Sequence, residues 1–350
     1  MGRKVRLEAG VSGKLGVSTS LIFRRGGSYL GTSLMRWADR IGRLLKPRDL
    51  HIFMTVVEES SMAKAAERLA ISRPVISRTI ANLEHVLGVT LLGRTAHGIE
   101  PTVFGKALLR RGIAVFDELR QSVEEIAYLT DPQAGELRIA CTEVWAAGLV
   151  PAALERLSRR LPRLRVTLEQ GVALNQFNLL RDRRSEIVIS RLLTEAPDSD
   201  IEMEPLFYEP LLVVAGPKSP WARRRNLKLS DLVEAPWILS TLETEPGSRF
   251  VEAFRAAKLP VPAATIFSNS LHLRISLLAT GQYLTLVPGS ALRFGPGAGL
   301  IKPLPVVLPR WHLPTGIFTL KGRMLSPVAQ VFADCIRDVA KPLARSDGAP

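Results

Sequence analysis

Residues 61–88 read SMAKAAERLAISRPVISRTIANLEHVLG. Ser61 has the short hydroxyl that suits a helix N-cap. Residues 62–69 then form a short helix, and its small side chains Ala63, Ala65 and Ala66 let another helix approach closely. Ala70, Ile71 and Ser72 make a turn. Ser72 is expected to cap a third helix, with Arg73 and Pro74 in its first turn, where proline is tolerated. Ile76, Ile80, Leu83 and Leu87 recur as one apolar stripe, about 60° wide at 100° per residue. Pro74, Arg78, Ala81 and His85 fall opposite the stripe, with Arg73 and Ser77 beside it. Gly88 stands where a left-handed glycine ends a helix.

Upstream, residues 48–59 suggest a first helix with Leu50, Phe53, Val56 and Val57 on one face. The third helix then offers a surface suited to a DNA major groove. Arg73 and Arg78 can each reach guanine O6/N7 or a phosphate, Ser77 supplies a hydroxyl and Pro74 a small apolar contact. The helix start itself favours a phosphate. Downstream, residues 89–92 and 99–103 read as the two strands of a hairpin wing. Arg94 and His97 are expected at its tip, near phosphates or a minor groove. The candidate DNA-contacting set is Ser61, Ser72, Arg73, Pro74, Ser77, Arg78, Arg94, His97 and Thr102. The alternative is a plain helical hairpin with solvated arginines. Two caps, a three-residue turn and a basic face opposed to an apolar stripe favour a DNA reader over residues 46–106.

Residues 103–130 have a long helical pattern without proline. Leu109, Ile113, Phe116, Leu119, Val123 and Ile126 form a stripe too long for the small reader to bury, which suggests pairing with a second copy. Packing within its own chain is the alternative. Beyond a linker at 131–135, strand patterns at 137–141, 164–170 and 186–190 alternate with helices at 149–160 and 174–183. A second run has strands at 210–216, 237–240, 264–267 and 283–287 and helices near 248–257 and 270–280. The chain closes with a strand at 316–320 and a helix capped by Ser326. This alternation implies an α/β fold with largely parallel sheets over residues 135–345, in two lobes, the second roughly 208–312. Ligands in such folds bind beyond the carboxyl ends of strands, near helix starts. That places the candidate effector contacts at Thr142, Glu143, Val144, Arg191, Thr241, Ser268 and Asn269. Simple helix capping is the alternative for each Thr, Ser and Asn taken singly. Glu143 favours a hydroxyl-rich or cationic effector, while Arg191 points the other way.

The 350-residue chain has a formal charge of +14, with 46% hydrophobic and 23% charged residues. A polyanionic partner fits that charge. Half of the excess, however, lies in the first 45 residues, where nine basic residues from Arg3 to Arg43 face only Glu8 and Asp39. Residues 1–34, rich in Gly, Ser and Arg, read as a basic disordered extension, as translated sequence upstream of a start at Met35, or as an arm touching phosphates. The two cysteines, Cys141 and Cys335, have no zinc spacing and suggest no disulfide framework. A reducing, cytoplasmic compartment fits, and no membrane span or signal peptide is expected. His51, His85, His97, His272 and His312 have no metal spacing, and catalytic motifs are missing, so an enzyme is disfavoured. No cofactor is expected beyond a small-molecule effector. A solute-binding protein of the periplasmic type would need only the second half and leaves the reader helices unexplained.

The run Ser61 to Leu69, then Ser72 to Arg78, Leu83-Glu84, Leu87-Gly88, Leu91 to Arg94 and Pro101 to Gly105 resembles the LysR-type transcriptional regulators. Gly135 to Ile139, Leu149 to Pro151, Pro205-Leu206 and Gly281 to Pro288 resemble the effector domain of the same family. The wing run Arg94 to Thr102 is similar to a galactose-binding-protein-regulator-like subgroup. Arg73 departs from the glutamine usual there, Thr79 from a longer polar residue and Leu92 from a common phenylalanine. The resemblance implies an N-terminal winged helix-turn-helix, a long linker helix and a two-lobed, periplasmic-binding-protein-like α/β effector domain. It also implies double-stranded DNA and a small-molecule effector as partners, a homodimer or homotetramer, and RNA polymerase as a further partner of an activator.

Overall fold

A computed structural model describes residues 44–344 of the chain except 97, 172, 193–197, 209, 243, 295–298 and 309–313. The expected extension at 1–34 and His97 lie outside the described residues. The chain divides into two compact units between Gly105 and Lys106.

The first unit opens with α1 (Pro47–Glu59), which Pro47 starts without needing an N–H and Asp49 favours by its charge in the first turn. It ends at Ser60, whose backbone turns left-handed (φ 50°). Ser61 caps α2 (Met62–Arg68), its hydroxyl accepting from the Lys64 N–H at 3.4 Å. Ser72 occupies the N-cap position of α3 (Arg73–Leu87) with extended backbone, but its hydroxyl makes no capping hydrogen bond. The expected cap fails for a local reason. An N-cap side chain accepts from the second or third helical N–H. The second residue is Pro74, which has none, and the Val75 N–H already bonds the Ser72 carbonyl at 3.0 Å. Gly88 (φ 70°) stops α3, its N–H on Glu84 O.

Phe53, Val56, Ala65, Ile76, Ile80, Leu83 and Leu91 are buried together as the core of this unit. Leu87 and Val57, expected beside them, are only half-buried. The wing is β1 (Leu92–Thr95) paired antiparallel with β2 (Gly98–Pro101), Leu92 opposite Pro101 and Thr95 opposite Gly98. Its first strand starts later than residues 89–92. The Glu84 carboxylate accepts from the N–H groups of Leu91 (2.7 Å) and Leu92 (3.3 Å), which holds the chain before the wing against α3. Arg94 therefore lies within a strand, opposite Ile99, and not at the tip.

A single helix, α4 (Val103–Thr130), runs from one unit into the next. Its start is set by Thr102, whose hydroxyl donates to Thr90 O (2.7 Å) and accepts from Gly105 N (3.1 Å). A Cβ on Gly105 would stand 2.1 Å from Leu91 O, so only glycine fits.

The second unit holds two five-stranded sheets. Following the chain, they are built from β3 (Ala134–Cys141), α5 (Glu143–Ala146), α6 (Leu149–Arg160), β4 (Arg163–Gln170), α7 (Ala173–Arg181), β5 (Ile187–Arg191), β6 (Ile201–Tyr208) and β7 (Leu211–Ala215). Then come β8 (Trp237–Leu239), α8 (Glu245–Ala256), β9 (Ala264–Phe267), α9 (Leu271–Leu278), β10 (Leu284–Pro288), β11 (Lys302–Pro303), β12 (Pro314–Leu320) and α10 (Pro327–Ala344). The first lobe is ordered β4-β3-β5-β12-β6 and the second β11-β7-β10-β8-β9. The chain thus passes from the first lobe to the second after β6 and returns at β12.

The sheets are mixed, which corrects the expectation of largely parallel ones. β12 runs antiparallel to β5 and β6, and β7 antiparallel to β10 and β11, while β4-β3-β5 and β10-β8-β9 are parallel. In the first lobe, Leu149, Ala153 and Leu157 of α6 pack with Phe332, Ile336 and Val339 of α10 on one sheet face. Leu180 of α7 covers the other with Val188 and Phe318. In the second, Trp237 packs edge-on against Phe250 (4.8 Å) and Phe254 of α8. Burying an aromatic side chain of this size contributes about 1.5–3 kcal/mol from its area. The helix α9 covers the opposite face through Leu271, Ile275 and Leu278.

The helix α4 meets the first lobe through charge. Asp117 is buried and accepts from Arg323 Nε (2.8 Å) and Nη2 (2.9 Å) and from Arg183 Nη1 (2.7 Å), and pairs with Arg120 as well. Arg323 also donates to Ser185 O at 2.6 Å. Burial by itself would raise the Asp117 carboxyl; the Arg183 hydrogen bond and the charges of Arg323 and Arg120 outweigh it and hold the group below its ordinary value. Two turns on, Glu124 bonds Arg120 (2.6 Å) and Arg138 (2.7 Å). The helix thus buries its polar edge. Its apolar edge lies bare, with Val123 67% and Ile126 65% exposed and Leu119 and Leu129 exposed beside them. Leu109, Ile113 and Phe116, expected on the same stripe, are half-buried.

Candidate functional site

The first site is the outer surface of α3. Ile76, Ile80 and Leu83 face the core, and this turns Arg73, Pro74, Ser77 and Arg78 to solvent on the first two turns, all exposed. Ala81 and His85 continue that face. Arg94 and Thr95 are exposed on the wing. Arg68, by contrast, is paired with Glu58 (2.7 Å) and Glu59 (2.9 Å) across the α1–α2 corner. Of the other expected contacts, Ser61 and Thr102 spend their hydroxyls on the chain's own backbone, at Lys64 N and at Thr90 O and Gly105 N. The Ser72 hydroxyl is exposed beside Arg73.

The second site is the junction of the two lobes. Thr142 ends the loop after β3 and begins α5, without a side-chain cap. Glu143 then reaches across to the second lobe. Its carboxylate accepts from the backbone N–H of Leu271 (2.5 Å) and His272 (3.3 Å) and from the Ser270 hydroxyl (3.4 Å) at the start of α9. Val144 packs against the Leu271 cluster beneath. Ser268 accepts from Ser270 N (3.1 Å), and Asn269 brackets Thr241, accepting from its N–H (3.3 Å) and donating to its hydroxyl (3.4 Å). Five of the seven expected effector contacts, Glu143, Val144, Thr241, Ser268 and Asn269, thus meet around one helix start, and Thr142 precedes Glu143 in the chain. The seventh, Arg191, is buried at the end of β5, opposite Thr315 of β12.

Sequence reading missed Arg274. It is 5% exposed on α9, donating to Leu286 O (3.2 Å) and to Ser240 Oγ (3.5 Å). Its Nε has no hydrogen-bond partner among the described residues. Burial pushes its guanidinium down from its ordinary value, and the Glu143 carboxylate opposes that shift. A signal existed: Leu271, Arg274, Ile275 and Leu278 share the buried face of one helix, so the arginine sits among apolar neighbours. Cys141 and Cys335 are both buried, the Cys141 thiol pushed up to about 12 by burial, in keeping with inert core residues. Among the described residues no group of three or more His, Cys, Asp or Glu is placed to hold a metal, and no helix is long and apolar enough to cross a membrane.

A helix-turn-helix with a basic outward face, joined by one helix to a two-lobed α/β unit, defines a DNA-binding regulator with a sensing domain. Residues 47–106 match the bacterial regulatory helix-turn-helix protein, lysR family, and residues 130–341 match the LysR substrate binding domain. The chain belongs to the LysR family of transcriptional regulators, which are DNA-binding proteins with an effector-binding domain and not enzymes. It is 29% identical over 298 residues to the HTH-type transcriptional regulator GbpR of Azospirillum brasilense, covering 84% of this chain and 86% of that one. To the regulator GalR of Pseudomonas putida it is 25% identical, covering 85% and 74%. The fold is shared with a full-length OxyR variant of Pseudomonas aeruginosa (TM-score 0.61, 22% identical, 85% of this chain and 97% of that one). It is shared too with full-length CbnR in complex with its target DNA (TM-score 0.59, 23% identical, 84% and 100%).

Proposed function

We propose that α3 reads bases in a DNA major groove through Arg73, Pro74, Ser77 and Arg78, with Ser72 and Arg94 on flanking phosphates. The observation that supports this most is the placement of these side chains on the bare face of a helix whose other face is core. Arg78, two turns from the helix end and free of any acidic neighbour one turn away, is the residue for a guanine edge. A bidentate contact of that kind discriminates by about 1–3 kcal/mol, or roughly 5–150-fold in affinity. Ser61 and Thr102 serve the reader by holding its elements. The reader extends over residues 46–106, the linker over 103–130 and the effector domain over 135–345.

The bare apolar edge of α4 supports pairing with a second copy, which would present two readers to a two-fold related DNA site. The junction around Glu143, Thr241, Ser268 and Asn269 is the seat of a small-molecule effector. In activating form the regulator works on RNA polymerase, in the cytoplasm. Its likeness to GbpR, together with the wing run, supports placing it in the galactose-binding-protein-regulator-like subgroup. The test is a mobility-shift titration on DNA flanking the protein's own gene. Arg78→Ala is expected to weaken specific binding at least 5-fold with an unchanged Tm, and binding is expected to fall steeply with salt. Equal affinity of Arg78→Ala and wild type would reject the assignment of this face.

A further inference from the structure

The start of α9 has what an anion site needs: two backbone N–H groups, a hydroxyl and a buried guanidinium on the same helix. It is already occupied, by a side chain from the other lobe. Glu143 takes the N–H groups of Leu271 and His272 and the hydroxyl of Ser270, from 128 residues away in sequence. Arg274, one turn into the helix and 5% exposed, leaves its Nε without a partner among the described residues and is coupled in charge to Glu143. An incoming carboxylate would find the N–H groups and the hydroxyl of the helix start spent and would meet the Glu143 charge. A hydroxyl or an ammonium would find a carboxylate with lone pairs to spare.

We propose that Glu143 is a built-in occupant of this anion seat, latching the two lobes and turning the junction away from carboxylate effectors toward uncharged or cationic hydrogen-bond donors. The inference rests on reading the junction as the effector site. Two consequences follow from the geometry. Removal of the Glu143 carboxylate leaves a vacant seat of the right size for a small carboxylate. The same removal loosens the contact between α5 and α9, because Val144 and Ala147 then hold the joint by packing alone.

The experiment is a thermal-shift titration of the full chain with sodium formate and sodium acetate, with sodium chloride matched for ionic strength. Wild type, Glu143→Ala and Glu143→Gln are compared. Glu143→Ala is expected to melt about 5 °C below wild type, the effect of losing charge-assisted hydrogen bonds in a domain of this size. Formate should recover at least half of that loss with a saturating curve. Wild type should show no saturable shift with either anion. Glu143→Gln should stay unresponsive, since the amide still fills the seat; it also reports on the seat if Glu143→Ala does not fold. A saturable formate shift in wild type or in Glu143→Gln, or none in a folded Glu143→Ala, overturns the proposal. Failed rescue beside an intact mobility shift removes the Glu143 assignment and leaves the DNA reading standing. Rescue that succeeds while Glu143→Ala and Asn269→Ala leave DNA affinity unchanged keeps the seat and removes the effector reading of the junction.

Discussion

Asp117→Asn is the most informative single change in the second unit. The side chain is 2% exposed and faces Arg323, 1% exposed, in a two-point pair, with Arg183 and Arg120 closing the same carboxylate. The substitution keeps the shape and removes the charge, so three guanidinium groups are left around a neutral amide. Removing one partner of a buried pair costs about 3–5 kcal/mol. At about 2–4 °C per kcal/mol for a domain of this size, Tm should fall by roughly 6–20 °C. Arg120→Ala, which removes the most exposed of the three partners, should cost far less. Adding Arg323→Met to Asp117→Asn should recover part of the loss, because the stranded cation goes with it. Differential scanning calorimetry and urea titration of the full chain measure these changes. The pH dependence gives a second reading. The native carboxyl lies below its ordinary value of about 3.9, so its contribution is complete above that pH and is lost as pH falls through the lower native value. The acid limb of the stability curve should therefore be shallower in Asp117→Asn. A Tm drop under 2 °C with an unchanged acid limb would refute the view that this cluster fastens α4 to the first lobe.

Burial pushes the Glu124 carboxyl up to about 7, against Arg120 and with Glu186, Glu136 and Asp117 adding negative charge. The native state then holds a proton that the unfolded chain releases near pH 4.3, so Glu124's contribution is complete below that and fades as pH rises through about 7. Wild type should lose Tm relative to Glu124→Gln between pH 5 and 8; a constant gap would reject this. Val123→Glu with Ile126→Glu should halve the mass seen by light scattering at micromolar concentration, and an unchanged mass would rule out α4 pairing through its bare edge. Gly105→Ala would normally stabilise a helix by about 1 kcal/mol. Here the Cβ meets Leu91 O at 2.1 Å, so a loss of about 1–3 kcal/mol is expected in the melting of the reader, and a gain would contradict the close approach.

What was legible in the sequence was local. The three reader helices, the Gly88 stop and the exposed set around Arg78 follow from caps and a 3.6-residue period, signals contained within a few turns. The same signals misplace the wing, because its first strand waits on the Glu84 carboxylate, a side chain seven residues back bonding to backbone. The strand β6 was not expected, since Glu202, Glu204 and Pro205 are poor strand residues; an outer strand of the sheet tolerates them, with Glu202 exposed and Glu204 paired to Arg337 of α10 (2.7 and 2.8 Å). The Asp117 cluster was out of reach. Its partners stand 66 and 206 residues away, and a lone charged residue on a helix is usually a solvated one. Glu143 stood out as an acid where a ligand was expected, but its target is a row of N–H groups, which no residue pattern encodes.

The stitching of the wing sets a limit on module exchange. The Gly98 position is filled up to Ser60 O, 2.7 Å from where a Cβ would be, and Ile99 N donates to that same oxygen at 2.9 Å. At the other end of the hairpin Glu84 of α3 holds Leu91 and Leu92. A graft of α3 alone into a relative would carry Glu84 away from its two acceptor-seeking amides, and a graft of α3 with the hairpin would set Gly98 and Ile99 against a foreign α1–α2 corner. The smallest transplantable piece is therefore the whole run from Pro47 to Gly105; Arg73, Ser77 and Arg78, the side chains proposed to read bases, touch none of these stitches.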